Sequence, residues 1–240
     1  MIERRLFLIG ASALTLTACG NPLGLGPPEG GPIYPVRPTF PAGSGEKVRW
    51  ALAVLRPDMA AGLDSDRIAL TQPDGTMDFF ARAGYPDRVP PMVQQALLDG
   101  FEASGRIDAV ALDQAALHAD YNLVTDVKDF AAHYRQPDGI PIVTVSITAK
   151  LATTHGRVIV SNFSTVQTAT ASLNSAAAVA QALQQALGLA VKTIVDWALT
   201  APMPATSQPA TTASPGKPAE QLLHDSTRGT DRLRDKAPPQ

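Results

Sequence analysis

Residues 140–151 read IPIVTVSITAKL, and no other stretch of the chain carries so clean a signal. Val143, Val145, Ile147, Ala149 and Leu151 alternate with Thr144, Ser146, Thr148 and Lys150. A side-chain period of two belongs to a strand with one apolar and one polar face. Asp138-Gly139 before it and His155-Gly156 after it are turn sequences, so the strand is the centre of a meander. Upstream, residues 118–134 place apolar side chains at Tyr121, Leu123 and Val127, then switch phase to Phe130, Ala132 and Tyr134. That phase change predicts a β-bulge near Lys128–Asp129. Downstream, residues 158–168 form the return strand, and residues 174–199 form a long helix with Val179, Leu183, Leu187, Ala190, Ile194 and Trp197 along one face.

The N-terminal half completes the pattern. Residues 48–55 alternate as a strand through Val48, Trp50, Leu52 and Val54. Residues 67–71 and 76–81 form a hairpin about Pro73-Asp74-Gly75. A helix over 88–104 carries Pro90 and Pro91 in its first turn, where proline is tolerated, and ends at Gly105. A short strand at 106–112 follows. The order βββαββββα, joined mostly by tight turns, predicts an α+β domain of two layers. Its sheet is largely antiparallel, and both helices pack on one face.

The flanks are of another character. Arg4 and Arg5 precede an apolar run from Leu6 to Leu16, and Leu16-Thr17-Ala18-Cys19 closes it. This is the layout of a bacterial lipoprotein leader, cut between Ala18 and Cys19, with the Cys19 thiol carrying a diacylglyceryl group. Cys19 is the only cysteine, so no intrachain disulfide forms and no cysteine nucleophile remains. Residues 1–18 are then the leader, and 19–46 the lipidated cysteine and linker. Fourteen of the 27 residues from 20 to 46 are Gly or Pro. The globular domain is 47–199, and 200–240 is a Pro/Ala/Thr-rich tail expected to be disordered. Gly20 follows the cysteine where an aspartate would signal inner-membrane retention, which favours the outer membrane on the periplasmic side.

Net charge is −2 and no basic run occurs, which excludes a nucleic-acid surface. His118, His133, His155 and His224 lack a ligand partner at metal spacing. No serine sits in a nucleophile elbow, and Gly43-Ser44-Gly45-Glu46-Lys47 lacks the spacing of a phosphate loop. Asp64, Asp66 and Asp74 read as turn aspartates before they read as a cation site. These observations predict a non-enzyme without cofactor beyond the lipid on Cys19. Phe79 and Phe80 are consecutive on a strand and must point to opposite faces, one to the core and the other to a protein or lipid contact. Tyr85 is a further candidate for such a contact.

Several stretches, in this order and spacing, resemble the ABC-type transport auxiliary lipoproteins, the PqiC-like group. They are Leu63-Asp64-Ser65-Asp66-Arg67-Ile68-Ala69-Leu70, then Ala83-Gly84-Tyr85-Pro86-Asp87-Arg88-Val89-Pro90, then Asp120-Tyr121-Asn122-Leu123 with Phe130, and finally Ile194-Val195-Asp196-Trp197-Ala198-Leu199. Tyr85 departs from the tryptophan usual in that group. The resemblance implies a lipoprotein that assists an MCE-type system moving lipids or other hydrophobic molecules between inner and outer membranes. Its partners would be an MCE-family protein and an ABC permease and ATPase, and some relatives assemble into homo-oligomeric rings. From the residues alone, a structural or assembly lipoprotein of the outer membrane is the alternative.

Overall fold

The computed structural model describes residues 31–113 and 118–202. The expected leader, Cys19 and the expected tail beyond Pro202 lie outside the described residues. In chain order the elements are β1 (Val48–Val54), β2 (Asp58–Met59), β3 (Arg67–Thr71), β4 (Met77–Gly84) and α1 (Val89–Ser104). They continue with β5 (Ile107–Leu112), β6 (Tyr121–His133), β7 (Ile142–Thr153), β8 (Ile159–Thr170) and α2 (Ala176–Ala198). The α+β, two-layer architecture is as expected. The extra strand, β2, is two residues long, too short to leave a periodic signal.

β6 is the spine of the sheet. One edge pairs antiparallel with β7 along its length, and β8 continues the meander beyond β7. The other edge receives β1, β2 and β3 one after another, all parallel to it, through Leu52↔Tyr121, Asp58↔Asp126 and Leu70↔Ala132. β5 lies parallel outside β1, and β4 antiparallel outside β3. The long ladders are therefore antiparallel and the short ones mostly parallel, a mixed sheet. The bulge falls where the phase change placed it. Val127 pairs with Ile147 and Asp129 with Ser146, so Lys128 has no partner opposite it.

The apolar face of β7, with Val143, Val145, Ile147, Ala149 and Leu151, is fully buried beneath α2. By length and composition α2 could cross a membrane, but most of it is buried in this core, where Leu183, Leu187, Ala190 and Ile194 lie. Its first turn is capped by Ser175, whose Oγ accepts from the Ala178 N–H at 3.3 Å. α1 ends as expected at Gly105 in the left-handed region (φ 60°), its N–H donating to the Glu102 carbonyl at 3.1 Å. The helices cross closely at Gly100, where an added Cβ would stand 2.5 Å from Val191 Cγ1.

The linker expectation is corrected for residues 31–46, which are folded onto the domain. Pro32, Pro35, Pro38 and Pro41 recur every third residue, the period of a polyproline II helix. Between them Val36 is buried, and Tyr34 and Phe40 pack against the core. The strap starts at the β4 edge, where the Tyr34 N–H donates to the Gly84 carbonyl at 2.8 Å and Ile33 bridges Gly84. It then crosses the helical layer. The Arg37 N–H donates to Gln184 Oε1 at 3.1 Å, and the Gly43 N–H to the Ala103 carbonyl at 3.3 Å. A Pro-rich segment has few backbone donors to satisfy, so it can lie in a groove without belonging to the sheet. Composition signalled a linker; the apolar row between the prolines makes it a strap. At the other end the domain runs past Leu199, because Ala201 and Pro202 carbonyls receive core hydrogen bonds.

Candidate functional site

The first two stretches quoted above meet in space and form one joint. Arg88 Nε lies 2.8 Å from Asp64 Oδ1, and Arg88 Nη2 donates to the Asp64 carbonyl at 2.6 Å. The Tyr85 N–H donates to the Asp66 carbonyl at 2.6 Å, and the Val89 N–H to the Ser65 carbonyl at 3.2 Å. The loop before β3 thus fixes the entry of α1 and supplies acceptors for amides at its N-terminal end. Tyr85 is 2 % exposed and meets Phe130 edge-to-face at 6.0 Å. As a surface contact it is corrected: the ring is core, because the β4–α1 turn points it inward.

Burial raises the Tyr85 hydroxyl pKa strongly, and that hydroxyl has no hydrogen-bond partner among the described residues. A buried orphan hydroxyl costs stability. Tyr85→Phe is therefore expected to raise unfolding free energy by about 1 kcal/mol, read as a higher urea midpoint.

The third and fourth stretches build a second joint. The Ala51 N–H donates to Asp120 Oδ2 at 2.8 Å, and the Asp120 N–H to the Ala51 carbonyl at 2.9 Å. Trp50 and Tyr121 meet edge-to-face at 5.2 Å. The indole N–H donates to the Ala201 carbonyl at 3.3 Å, and the Tyr121 hydroxyl to the Pro202 carbonyl at 2.8 Å. On the outer side, Trp197 stacks on Phe163 at 5.4 Å. The residues that carry the family resemblance are thus architectural. They lock β1, β6 and the end of α2 together.

Phe80 packs against the core while only partly buried, and Phe79 lies under the Arg67 guanidinium, 4.1 Å from its centroid. Both rings are half-buried. Asp74 accepts from the Thr76 hydroxyl at 2.6 Å and the Thr76 N–H at 2.9 Å, a turn bond that lowers its pKa. Asp64 faces Arg88, so the three aspartates do not converge. Among the described residues no group of three or more His, Cys, Asp or Glu could hold a metal ion.

His133 Nε2 lies 2.8 Å from Asp129 Oδ2 on the bulged strand. This hydrogen bond raises the imidazole pKa above 6.5, although partial burial opposes it. A raised folded value stabilises the fold below the unfolded pKa and loses that contribution as pH climbs through the folded value. Denaturation midpoints should fall as pH rises from about 6.5 through the raised folded value, and Asp129→Asn should flatten this part of the slope.

What the surface does offer is a cleft and an edge. The cleft, about 690 Å³, lies between the strap and α2, over Phe40, Gly188, Leu189 and Val195. Arg106, Lys192 and Asp196 stand at it, with Lys192 Nζ 2.7 Å and Arg106 Nη1 3.8 Å from Asp196. Its size suits a small ligand. The edge is β8, which among the described residues pairs only with β7. The helix-free face of β7 and β8 is rich in hydroxyls, with Thr148 Oγ1 and Ser164 Oγ 3.1 Å apart across the ladder. Neither the cleft nor the edge was legible in sequence. Both depend on where the strap and β8 end up.

Comparison with known proteins follows the same lines. A protein of Bradyrhizobium diazoefficiens, itself uncharacterized, is 28 % identical over 151 residues, spanning 63 % of this chain and 40 % of that one. This chain thus spans well under half the length of that curated relative. A crystal structure of a Xanthomonas campestris protein is similar at 29 % identity with a TM-score of 0.65, over 70 % of this chain and 95 % of that one. The family model described as the ABC-type transport auxiliary lipoprotein component matches residues 35–195, beginning inside the strap and ending in α2. This chain belongs to that family of lipoprotein components accessory to ABC-type transport.

Proposed function

We propose that this protein is a non-catalytic docking component of an MCE-type transport system that moves lipids or other hydrophobic molecules between inner and outer membranes. The observation that carries the reading is the family match over residues 35–195, most of the folded domain. Consistent with it, the polar groups of the two joints serve the architecture, and ATP hydrolysis falls to a partner. Cys19, freed by cleavage after Ala18, carries the acyl chains that hold the protein at the periplasmic side of the outer membrane. Two or more chains give lasting attachment where one gives only about 10⁴ M⁻¹. The strap changes the geometry of this attachment. Only the residues between Cys19 and Gly31 separate lipid from domain, so the two stand within about 40 Å. Confinement near the bilayer raises the effective concentration of the domain beside its partner.

The test is copurification of the full lipidated chain in mild detergent. The MCE protein and permease of the system should come down with it. Preparations that repeatedly contain neither would refute the proposal.

A further inference from the structure

The turns between β3 and β4 and between β6 and β7 are polar loops of the kind water favours, QPDGT over 72–76 and RQPDG over 135–139. The turn between β7 and β8 differs, reading THGRVIV over 154–160. Val158, Ile159 and Val160 there are 59 %, 56 % and 44 % exposed. A regular strand turns consecutive side chains to opposite faces. Here the ladder slips, Leu151 pairing with Ser161 and Ala152 with Ile159, so Val160 has no residue opposite it. Such a bulge re-aims side chains, and three β-branched groups in a row stand in the open. Hydrogen bonds hold the tip in shape. The Thr153 N–H donates to the Val158 carbonyl at 2.9 Å, the Val158 N–H to Thr153 Oγ1 at 3.2 Å, and the Thr154 hydroxyl to the Ala119 carbonyl at 2.7 Å.

The charge around the tip has one sign. Residues 139–195 contain Lys150, Arg157 and Lys192 and no Asp or Glu. Arg157 and His155 lie in the tip itself, and Lys150 is exposed on β7 opposite Asn162. On the neighbouring stretch of chain, Asp120 accepts from the Ala51 N–H at 2.8 Å and Asp126 is paired with Lys128. An apolar point beside cations suits a bilayer with anionic headgroups, where aliphatic groups enter and the cations stay with the phosphates.

We infer that the Val158–Val160 tip dips into the surface of an anionic bilayer and gives the protein a second point of attachment there. The length of chain ahead of the domain permits it. Gly31 sits against the Arg82 carbonyl on β4, with β3, β6 and β7 between it and β8. The tip is then about 20 Å from Gly31 across the sheet and about 30 Å along it, or about 35 Å in a straight line. The residues between Cys19 and Gly31 reach about 40 Å, so one bilayer can hold both the acyl chains and the tip. The inference rests on the anchor at Cys19 for this reach and not on the transport reading.

The experiment places the full lipidated chain in vesicles of phosphatidylethanolamine and phosphatidylglycerol, with Ile159→Trp as a fluorescent probe. Emission of the wild-type chain, from Trp50 and Trp197, is subtracted. Brominated acyl chains in the vesicles should quench the added emission. They should spare it in Val166→Trp, a probe at an exposed site midway along the same strand. Replacing phosphatidylglycerol with phosphatidylcholine should lessen the quenching at 159, as should Arg157→Gln. Val158→Trp repeats the measurement if the circular dichroism spectrum of Ile159→Trp departs from wild type. Emission at 159 untouched by brominated lipid, in a chain that floats with the vesicles, overturns the inference. So does equal quenching at 159 and 166, since the domain then has no preferred point of contact. Quenching undiminished in phosphatidylcholine overturns the anionic assignment. A shift in the emission at 159 only when another protein or a second copy is added gives the tip to that partner and overturns the bilayer contact. A chain that fails to float overturns it as well. Palmitate incorporation scores Cys19 separately, and copurification scores the transport reading.

Discussion

Replacing Cys19 with serine should abolish acylation. Incorporation of labelled palmitate falls to background, and the chain keeps its leader and migrates as the full 25.2 kDa precursor. The reason is chemical: a serine hydroxyl does not replace the thiol as acceptor of the diacylglyceryl group, and cleavage before residue 19 follows that transfer. A chain given an ordinary cleavable leader and no cysteine should appear in the periplasmic fluid. The effect on transport should be near complete, since the proposed task depends on holding a domain within about 40 Å of the bilayer. Acylation of the serine variant at the wild-type level would refute the assignment of Cys19.

The largest effect on the fold is expected at Trp50. Its ring is fully buried, meets Tyr121 at 5.2 Å, and donates to the Ala201 carbonyl, so one side chain links β1, β6 and the chain leaving α2. Trp50→Ala removes the ring and leaves a cavity, at a cost of about 3–5 kcal/mol. For a domain of this size each kcal/mol lowers Tm by about 2–4 °C, so a fall of roughly 6–20 °C follows in a thermal scan. Trp50→Phe retains an aromatic ring and loses the donor, which adds about 1 kcal/mol to the cost of its smaller volume. A Tm for Trp50→Ala within a degree of wild type would show that the joint carries little of the fold.

Much of the architecture was legible locally. Alternation in 142–153 dictates β7, because an apolar row on one face must be covered; the phase switch at Lys128 dictates the bulge, because a strand with a one-residue slip cannot otherwise keep one face inward. Gly105 ends α1 because a left-handed residue closes the last turn. The parallel pairings of β1, β2 and β3 along β6 were not legible, since they bring together residues some 60–70 positions apart in sequence and leave no local periodicity.

Tyr85 shows the same limit at the level of a side chain. Its sequence neighbours, Gly84 and Pro86, mark a turn, and a turn residue reads as surface; the core lies on the side to which β4 delivers it. Residues 31–46 read as linker because glycine and proline dominate them, yet Val36 and Phe40 find a groove between helices that exists only after α1 and α2 have packed.

By itself the sequence determined the alternation that makes the meander, the ends of the helices and the place of the single cysteine, all properties of neighbouring residues. Tertiary structure alone decided which edges of the sheet are covered. Among the described residues β8 pairs only with β7, while the strap bonds to the opposite side of the sheet at Gly84.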